Sequence, residues 1–205
     1  ISNFMDGMAN GPRGAEGAAN VGVIVANPKN GEILAMATDN PYDLNNPRDL
    51  TSYYSQDEIN GMDNGTMLKN LYGIWKNYCI SDAFEPGSTV KPLTIGAALD
   101  ADVVQPSDTF VCDGYQMFGG TRIRCSIYPG AHGTETLSDL IKHSCNDGLM
   151  QIGALLGPEE FLKYQKIFNF GATTGIDLPG EATGILHTEE SLSSGSTELA
   201  SASFG

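Results

Sequence analysis

Two short apolar runs near the start of the chain constrain its fold most strongly. Residues 21–26 (Val-Gly-Val-Ile-Val-Ala) and 32–37 (Glu-Ile-Leu-Ala-Met-Ala) flank the segment Asn27-Pro-Lys-Asn-Gly31, whose composition is typical of a turn. This pattern predicts an antiparallel hairpin. Because both runs are apolar almost throughout, both faces of the hairpin are expected to be covered, as in a sheet with helices on each side.

The remaining sequence predicts helices in the middle of the chain. Residues 39–80 are expected to be mostly irregular, with a short helix near 66–77, and residues 109–128 predict a small hairpin around Gly119-Gly120. Helical patterns occur at 88–101, 136–142, 146–156 and from Pro158 onwards. Strands outside a central group of helices are typical of α+β or mixed α/β folds.

The chain has the size of one domain. Its 205 residues are 40% hydrophobic, which is enough for one sizeable core. Residues 1–20 are rich in Gly and Ala and predict a linker, so the domain is expected at 21–205. No apolar run reaches the roughly 18 residues of a membrane span. Both termini are abrupt, and we expect the chain to be a piece of a longer protein.

The charge balance argues against one class of partner. The chain has 25 acidic residues against 11 basic ones, and its net charge is −14. Such a surface repels the phosphate backbone of nucleic acids. No nucleic-acid partner is therefore expected.

The four cysteines do not have the spacing of a zinc motif. None belongs to a Cys-x-x-Cys pair, and the three histidines are scattered, so no metal and no cofactor are expected. Cys112 and Cys125 flank the predicted hairpin. They are either bridged, which would contribute about 3 kcal/mol in an oxidising compartment, or free, half-buried thiols.

A serine and a lysine three positions apart form the first candidate catalytic pair. On a helix Ser88 and Lys91 share a face, so the lysine amine is expected to reach the serine hydroxyl. A buried lysine with a lowered pKa can accept the serine proton, and the serine then becomes a nucleophile. The alternative is a helix-capping serine followed by a solvated lysine.

The segment Ser144-Cys-Asn146 is the second candidate element. It lies between two predicted helices, where a short loop can direct both polar side chains into a cleft. The serine hydroxyl can transfer a proton, and the asparagine amide can both donate and accept hydrogen bonds. The alternative is an ordinary helix N-cap. His143 is interpreted as structural and Cys145 as a buried thiol.

These elements, together with longer stretches, resemble a known family. Ser-x-x-Lys and Ser-x-Asn are two of the three motifs shared by penicillin-binding proteins and class A β-lactamases. Four longer stretches resemble monofunctional (class B) penicillin-binding proteins in particular, namely residues 24–37, 81–92, 175–181 and 199–205. The similarity covers residues 21–205. It implies the fold of penicillin-recognising serine transpeptidases and β-lactamases, an antiparallel sheet flanked by helices with an all-helical subdomain.

The resemblance also implies an activity and residue roles. Ser88 would attack the D-Ala-D-Ala end of a peptidoglycan stem peptide, and Lys91 would be the general base. Ser144 would relay a proton, and Asn146 would orient the substrate and Lys91. Ser88 and Asn146 would thus also bind substrate, and β-lactams would acylate Ser88. The family's third motif, Lys-Thr/Ser-Gly, does not occur in residues 1–205, which leaves the activity of this chain by itself open.

Partners and location follow from the same resemblance. It implies a membrane glycosyltransferase and division or elongation proteins as partners. It also implies the extracytoplasmic face of the bacterial membrane, with an anchor outside this chain. Two alternatives stay open: a β-lactam sensor or catalytically degenerate scaffold, and a serine β-lactamase.

Overall fold

The computed structural model describes residues 20–193 and 195–205, which divide into two compact units. The first contains the described residues up to Asp82 together with Gly175–Ala182, and the second contains Ala83–Thr174 and Thr183–Gly205. The predicted linker falls almost entirely on residues 1–19, outside the described part. The division into a linker and one domain therefore stays a prediction.

The first unit contains the predicted hairpin. Strands β1 (Gly22–Ala26) and β2 (Ile33–Thr38) are antiparallel, with Gly22 opposite Thr38. The turn between them closes through the Asn27 N–H, which donates to the Glu32 carbonyl at 2.8 Å. The hairpin prediction is confirmed.

The expectation that both faces of this hairpin are covered is wrong for the described residues. Val23, Ile24 and Val25 are 45%, 46% and 47% exposed. Within the described part of the chain β1 and β2 form a two-stranded sheet of their own. The short helices of this unit are too small to cover both faces of that sheet.

Three helices occupy about half of residues 39–80, which were expected to be mostly irregular with one short helix near 66–77. They are α1 (Gln56–Gly61), α2 (Asn64–Trp75) and α3 (Tyr78–Ser81). Helix α2 corresponds to the predicted one, whereas α1 was missed although its signal is in the sequence. Ser55 and Glu58 form a capping box, in which the Ser55 N–H donates to Glu58 Oε2 at 2.8 Å.

The second unit is built on two packed helices, α4 (Lys91–Asp100) and α6 (Asn146–Ile167). A 3₁₀ turn, Gly87–Val90, leads into α4, so the predicted helix is present with a tighter first turn. Gly157 (φ 75°) divides α6 into two arms, and Pro158 opens the second arm as predicted. Ala98, Leu149 and Ile152 are fully buried in the core between the helices.

Four short strands and two further helices complete this unit. The strands are β3 (Thr109–Cys112), β4 (Tyr115–Phe118), β5 (Thr121–Arg124) and β6 (Gly133–Thr136), and the helices are α5 (Leu137–Lys142) and α7 (Thr197–Ala202). The single hairpin expected at 109–128 is wrong in extent. Strands β4 and β5 pair around Gly119-Gly120, but β3 pairs with β6, so that Cys112 lies opposite Gly133. In residues 20–193 and 195–205, no helix is long and apolar enough to cross a bilayer.

Gly153 of α6 packs against Ser203, the residue after α7, and this contact offers a stability test. A β-carbon at Gly153 would overlap the side chain of the buried Ser203. A β-carbon at Gly96, in α4, would have no neighbour within 4 Å. We expect Gly153→Ala to lower the free energy of unfolding by about 1–3 kcal/mol through overpacking. The matched Gly96→Ala should raise it by about 0.5–1 kcal/mol. Urea unfolding of both variants measures the difference, and equal effects would contradict the packing of α6.

Candidate active site

Ser88 lies in the 3₁₀ turn that leads into α4. Gly87, immediately before it, has φ 58°, a backbone conformation that side-chain-bearing residues rarely adopt. The Thr89 hydroxyl donates to the Pro86 carbonyl at 2.7 Å and closes the turn. The Ser88 side chain is exposed, and no side chain caps this turn. The capping interpretation of Ser88 is therefore wrong.

Lys91 is buried, with only 1% of its surface exposed, so the solvated-lysine interpretation is also wrong. Its ammonium group donates to the Ser144 carbonyl at 2.8 Å, to Ser144 Oγ at 2.9 Å and to Asn146 Oδ1 at 2.7 Å. Burial lowers the pKa of Lys91, because a buried ammonium loses hydration. The site therefore favours the neutral amine more than water does.

Ser144 connects the lysine to the serine of the first motif. Its hydroxyl lies 2.9 Å from Ser88 Oγ and 2.9 Å from Lys91 Nζ. Ser144 has φ 52°, which is uncommon for a residue with a side chain and typical of functional loops. The lysine amine was expected to reach the serine hydroxyl, and in the structure the Ser144 hydroxyl connects Lys91 to Ser88.

In the loop between α5 and α6, the residue that caps α6 is Cys145 and neither of the two polar residues beside it. Cys145 is the N-cap of α6, and its Sγ accepts from the Gly148 N–H at 3.4 Å. The capping interpretation of Ser144 and Asn146 is therefore wrong. The Asn146 amide spans Lys91 and the Arg124 carbonyl, at 2.7 Å and 3.5 Å. All four predicted site residues lie together, and their catalytic roles stay predictions.

Asp147 is a structural residue that the sequence interpretation missed. Its carboxylate is fully buried and accepts hydrogen bonds from the Asp113 and Gly114 N–H groups and from the side chains of Gln116 and Gln151, at 2.6–3.1 Å. It ties the start of α6 to the β3–β4 turn. An acidic residue in the first turn of a predicted helix, directly after the second motif, was the available signal.

The transpeptidase domain family of penicillin-binding proteins matches residues 21–205 of this chain. The chain belongs to that family. The predicted resemblance is thereby confirmed, and so is the fold class, an α+β arrangement of small antiparallel sheets and helices.

Relatives of this penicillin-binding transpeptidase domain agree in sequence and fold. This chain is 39% identical over 183 residues to stage V sporulation protein D of Bacillus subtilis. The matched residues are 89% of this chain and 25% of that protein. The chain is 32% identical over 191 residues to a peptidoglycan D,D-transpeptidase of Buchnera aphidicola from Schizaphis graminum, covering 93% of this chain and 29% of that protein. Penicillin-binding protein 3 of Mycobacterium tuberculosis, complexed with aztreonam, has the same fold with a TM-score of 0.70 and 27% identity over all of this chain and 38% of its own. The chain thus spans about a quarter of the length of the first curated relatives.

The transpeptidase domain also contains a compact group of cysteines beside the second motif. Cys112 and Cys145 are fully buried, Cys125 is 3% exposed, and all three are free thiols. Together with His132, their ligand atoms lie within 4.8 Å of one another. The four residues come from separate segments of the chain, so a search for closely spaced Cys and His motifs does not detect the group. The expectation that no metal is bound stays a prediction.

Proposed function

We propose that this domain carries the active site of a peptidoglycan D,D-transpeptidase, a serine-type enzyme that cross-links stem peptides through an acyl-serine intermediate. One observation supports the proposal most directly. The Ser144 hydroxyl lies 2.9 Å from both Ser88 Oγ and the buried Lys91 Nζ. A nucleophile, a proton relay and a base are thereby joined by hydrogen bonds, as acyl transfer to a serine requires.

In the proposed first step, Ser88 Oγ attacks the penultimate D-Ala carbonyl carbon of a stem peptide. A bond forms between Oγ and that carbon, and the bond from the carbon to the nitrogen of the terminal D-Ala breaks. The Ser88 proton passes to the Ser144 oxygen while the Ser144 proton passes to neutral Lys91. The Ser144 hydroxyl then gives its proton to the departing D-Ala nitrogen and is reprotonated by Lys91. In the second step, an amine of a neighbouring stem peptide attacks the ester carbon. A carbon–nitrogen bond forms, the bond from that carbon to Ser88 Oγ breaks, and the proton that the amine loses returns to Ser88 through Lys91 and Ser144.

Two features support binding and stabilisation of the substrate. The Asn146 side chain accepts from Lys91 through Oδ1. Among the described residues its Nδ2 makes a single long hydrogen bond of 3.5 Å, which leaves this amide donor available to a substrate carbonyl. The backbone N–H of Ser88 stands at the start of the helical segment, where the partial positive charge favours a developing oxyanion. Ser88 and Asn146 are thus the proposed substrate-binding residues.

The proposed partners and location follow from this activity. Stem peptides of peptidoglycan are the substrate, and β-lactams that resemble D-Ala-D-Ala acylate Ser88. Peptidoglycan lies outside the cytoplasmic membrane, so the domain works on the extracytoplasmic face, held there by an anchor outside this chain. A membrane glycosyltransferase and proteins of division or elongation would supply and position the glycan strands. The net charge of −14 argues against a nucleic-acid partner.

The test is the intact mass of the protein after incubation with benzylpenicillin, made on the longest natural form of the protein that contains this chain. We expect a mass increase of one penicillin molecule, which peptide mapping locates on the segment that contains Ser88. A folded protein that gains no mass would contradict the transpeptidase proposal and would favour the alternative of a catalytically degenerate scaffold.

Two further readouts separate the alternatives. The penicillin adduct of a transpeptidase should persist for much longer than the incubation with penicillin lasts. A transpeptidase should also release D-Ala from a stem-peptide substrate. Rapid loss of the adduct with accumulation of hydrolysed penicillin would indicate a β-lactamase. A stable adduct without D-Ala release would indicate a β-lactam sensor.

A further inference from the structure

Four side chains of the second unit have the geometry of a metal site. Cys112 Sγ lies 3.5 Å from His132 Nδ1, Cys125 Sγ lies 3.8 Å from the same nitrogen, and Cys125 Sγ lies 3.9 Å from Cys145 Sγ. Zinc–sulfur bonds of about 2.3 Å and zinc–nitrogen bonds of about 2.0–2.1 Å in a tetrahedron imply edges of about 3.8 Å between sulfurs and about 3.5 Å between sulfur and nitrogen. The three distances lie within about 0.3 Å of these values, and all four ligand atoms lie within 4.8 Å of one another.

We propose that Cys112, Cys125, Cys145 and Nδ1 of His132 bind one zinc ion. Three cysteines and one histidine are a common ligand set of closed, structural zinc sites, and soft thiolates select zinc over calcium or magnesium. The zinc site and the candidate catalytic site have no residue in common. The role of the zinc in acyl transfer depends on the proposed function.

The surroundings of the cluster fit a cation better than a disulfide. One disulfide would use two of the three sulfurs and would leave a buried thiol and the His132 nitrogen without a strong partner. Glu135 adds a buried negative group: its Oε2 lies 3.6 Å from His132 Nδ1 and has no hydrogen bond among the described residues. Its other oxygen, Oε1, binds His143 Nδ1 at 2.7 Å. A divalent cation would offset about half of the negative charge that the three thiolates and the buried carboxylate carry together.

The proposed zinc joins the segments that frame the second motif. Cys112 ends β3, Cys125 follows β5, His132 precedes β6, and Cys145 begins α6. Cys145 is flanked by Ser144 and Asn146, the two residues that bind Lys91 Nζ. Cys125 follows Arg124, whose carbonyl accepts from the Asn146 amide. The metal is therefore a positioning element for the lysine and its relay, and it does not contact the reacting atoms.

Metal content tests the proposal without any substrate. The natural protein, purified from zinc-supplemented medium under reducing conditions, should contain about one zinc per chain. Cys112→Ser should lower the zinc content at least several-fold, whereas Cys79→Ser should keep it. Cys79 is the matched control, because it is a free cysteine of the first unit and not a member of the cluster. Zinc that is absent from the wild-type protein, or retained equally in both variants, would overturn the site.

A spectroscopic measurement keeps the test decisive if Cys112→Ser does not fold. Cobalt substituted into the wild-type protein should show thiolate-to-metal charge transfer and the d–d bands of a tetrahedral ion. In protein purified without a reductant, a mass lower by two hydrogen atoms, with two thiols lost to alkylation, would reveal a disulfide and would overturn the proposal.

Acylation by penicillin then separates this inference from the proposed function. Removal of zinc by a chelator should slow the formation of the penicillin adduct by about 10- to 100-fold, the usual effect of lost outer positioning groups. Zinc binding without any adduct on the metal-loaded protein would leave the metal site intact and overturn the transpeptidase. Adduct formation at an unchanged rate without zinc would overturn the positioning role.

Discussion

Replacement of Ser88 by alanine is expected to abolish the penicillin adduct completely while the protein stays folded. Ser88 Oγ is the exposed end of the hydrogen-bonded path from Lys91. Ser144 cannot replace it, because its hydroxyl is held between Lys91 and Ser88 and its backbone has φ 52°. The change removes one exposed hydroxyl, so the free energy of unfolding should change by less than about 0.5 kcal/mol.

The adduct should be measured by intact mass at saturating benzylpenicillin and by labelling with a fluorescent penicillin. Ser107→Ala is a suitable control, since Ser107 is another exposed serine of the second unit. It should form the adduct at the wild-type rate. A stoichiometric adduct on Ser88→Ala, wherever it maps, would exclude Ser88 as the nucleophile.

Replacement of Lys91 by methionine should slow acylation of Ser88 by about 10²–10⁴-fold, the contribution expected of a positioned general base. Methionine is unbranched and matches the apolar stem of lysine as far as Cε, but it can neither accept nor donate a proton. Loss of the lysine amine also leaves the Ser144 and Asn146 oxygens without their donor, which should lower the free energy of unfolding by about 1–3 kcal/mol. The burial penalty of the ammonium is relieved at the same time, so the two effects on stability oppose each other.

The measurement is the rate constant of adduct formation. The final amount of adduct is not informative, because a slow variant reaches the same amount given enough time. Lys142→Met serves as the control, as Lys142 is an exposed lysine at the end of α5 in the same unit. It should acylate at the wild-type rate. Acylation of Lys91→Met within threefold of wild type would remove Lys91 from the role of base.

Local patterns predicted the site residues but not their mutual arrangement. The motifs identified Ser88, Lys91, Ser144 and Asn146, because residue type and short spacing are visible in sequence. That Ser144 lies between the serine and the lysine depends on how the loop before α6 packs on α4, and packing is a non-local property. The same applies to Asp147, since three of its four partners lie in residues 113–116 and only Gln151 belongs to its own helix.

Strand pairing and the cysteine cluster show the same limit. A turn signal at Gly119-Gly120 predicted the β4–β5 hairpin correctly, since its strands are adjacent in sequence. The pairing of β3 with β6 closes a much longer loop, and no local signal marks it. Because the cysteine–histidine cluster is assembled by that pairing, with Cys112 on β3 and His132 just before β6, it was invisible to a search for spaced motifs.

The left-handed backbone of Ser144 has a consequence for the evolution of this domain. Glycine would relieve a strain of about 1–2 kcal/mol at this position, so the most stable sequence here is not the one with a hydroxyl. Under the proposed function, selection for heat resistance alone would favour glycine and lose the relay, whereas selection for activity would keep the serine. The strain at Ser144 is then the stability that the domain gives up to keep a hydroxyl between Ser88 and Lys91.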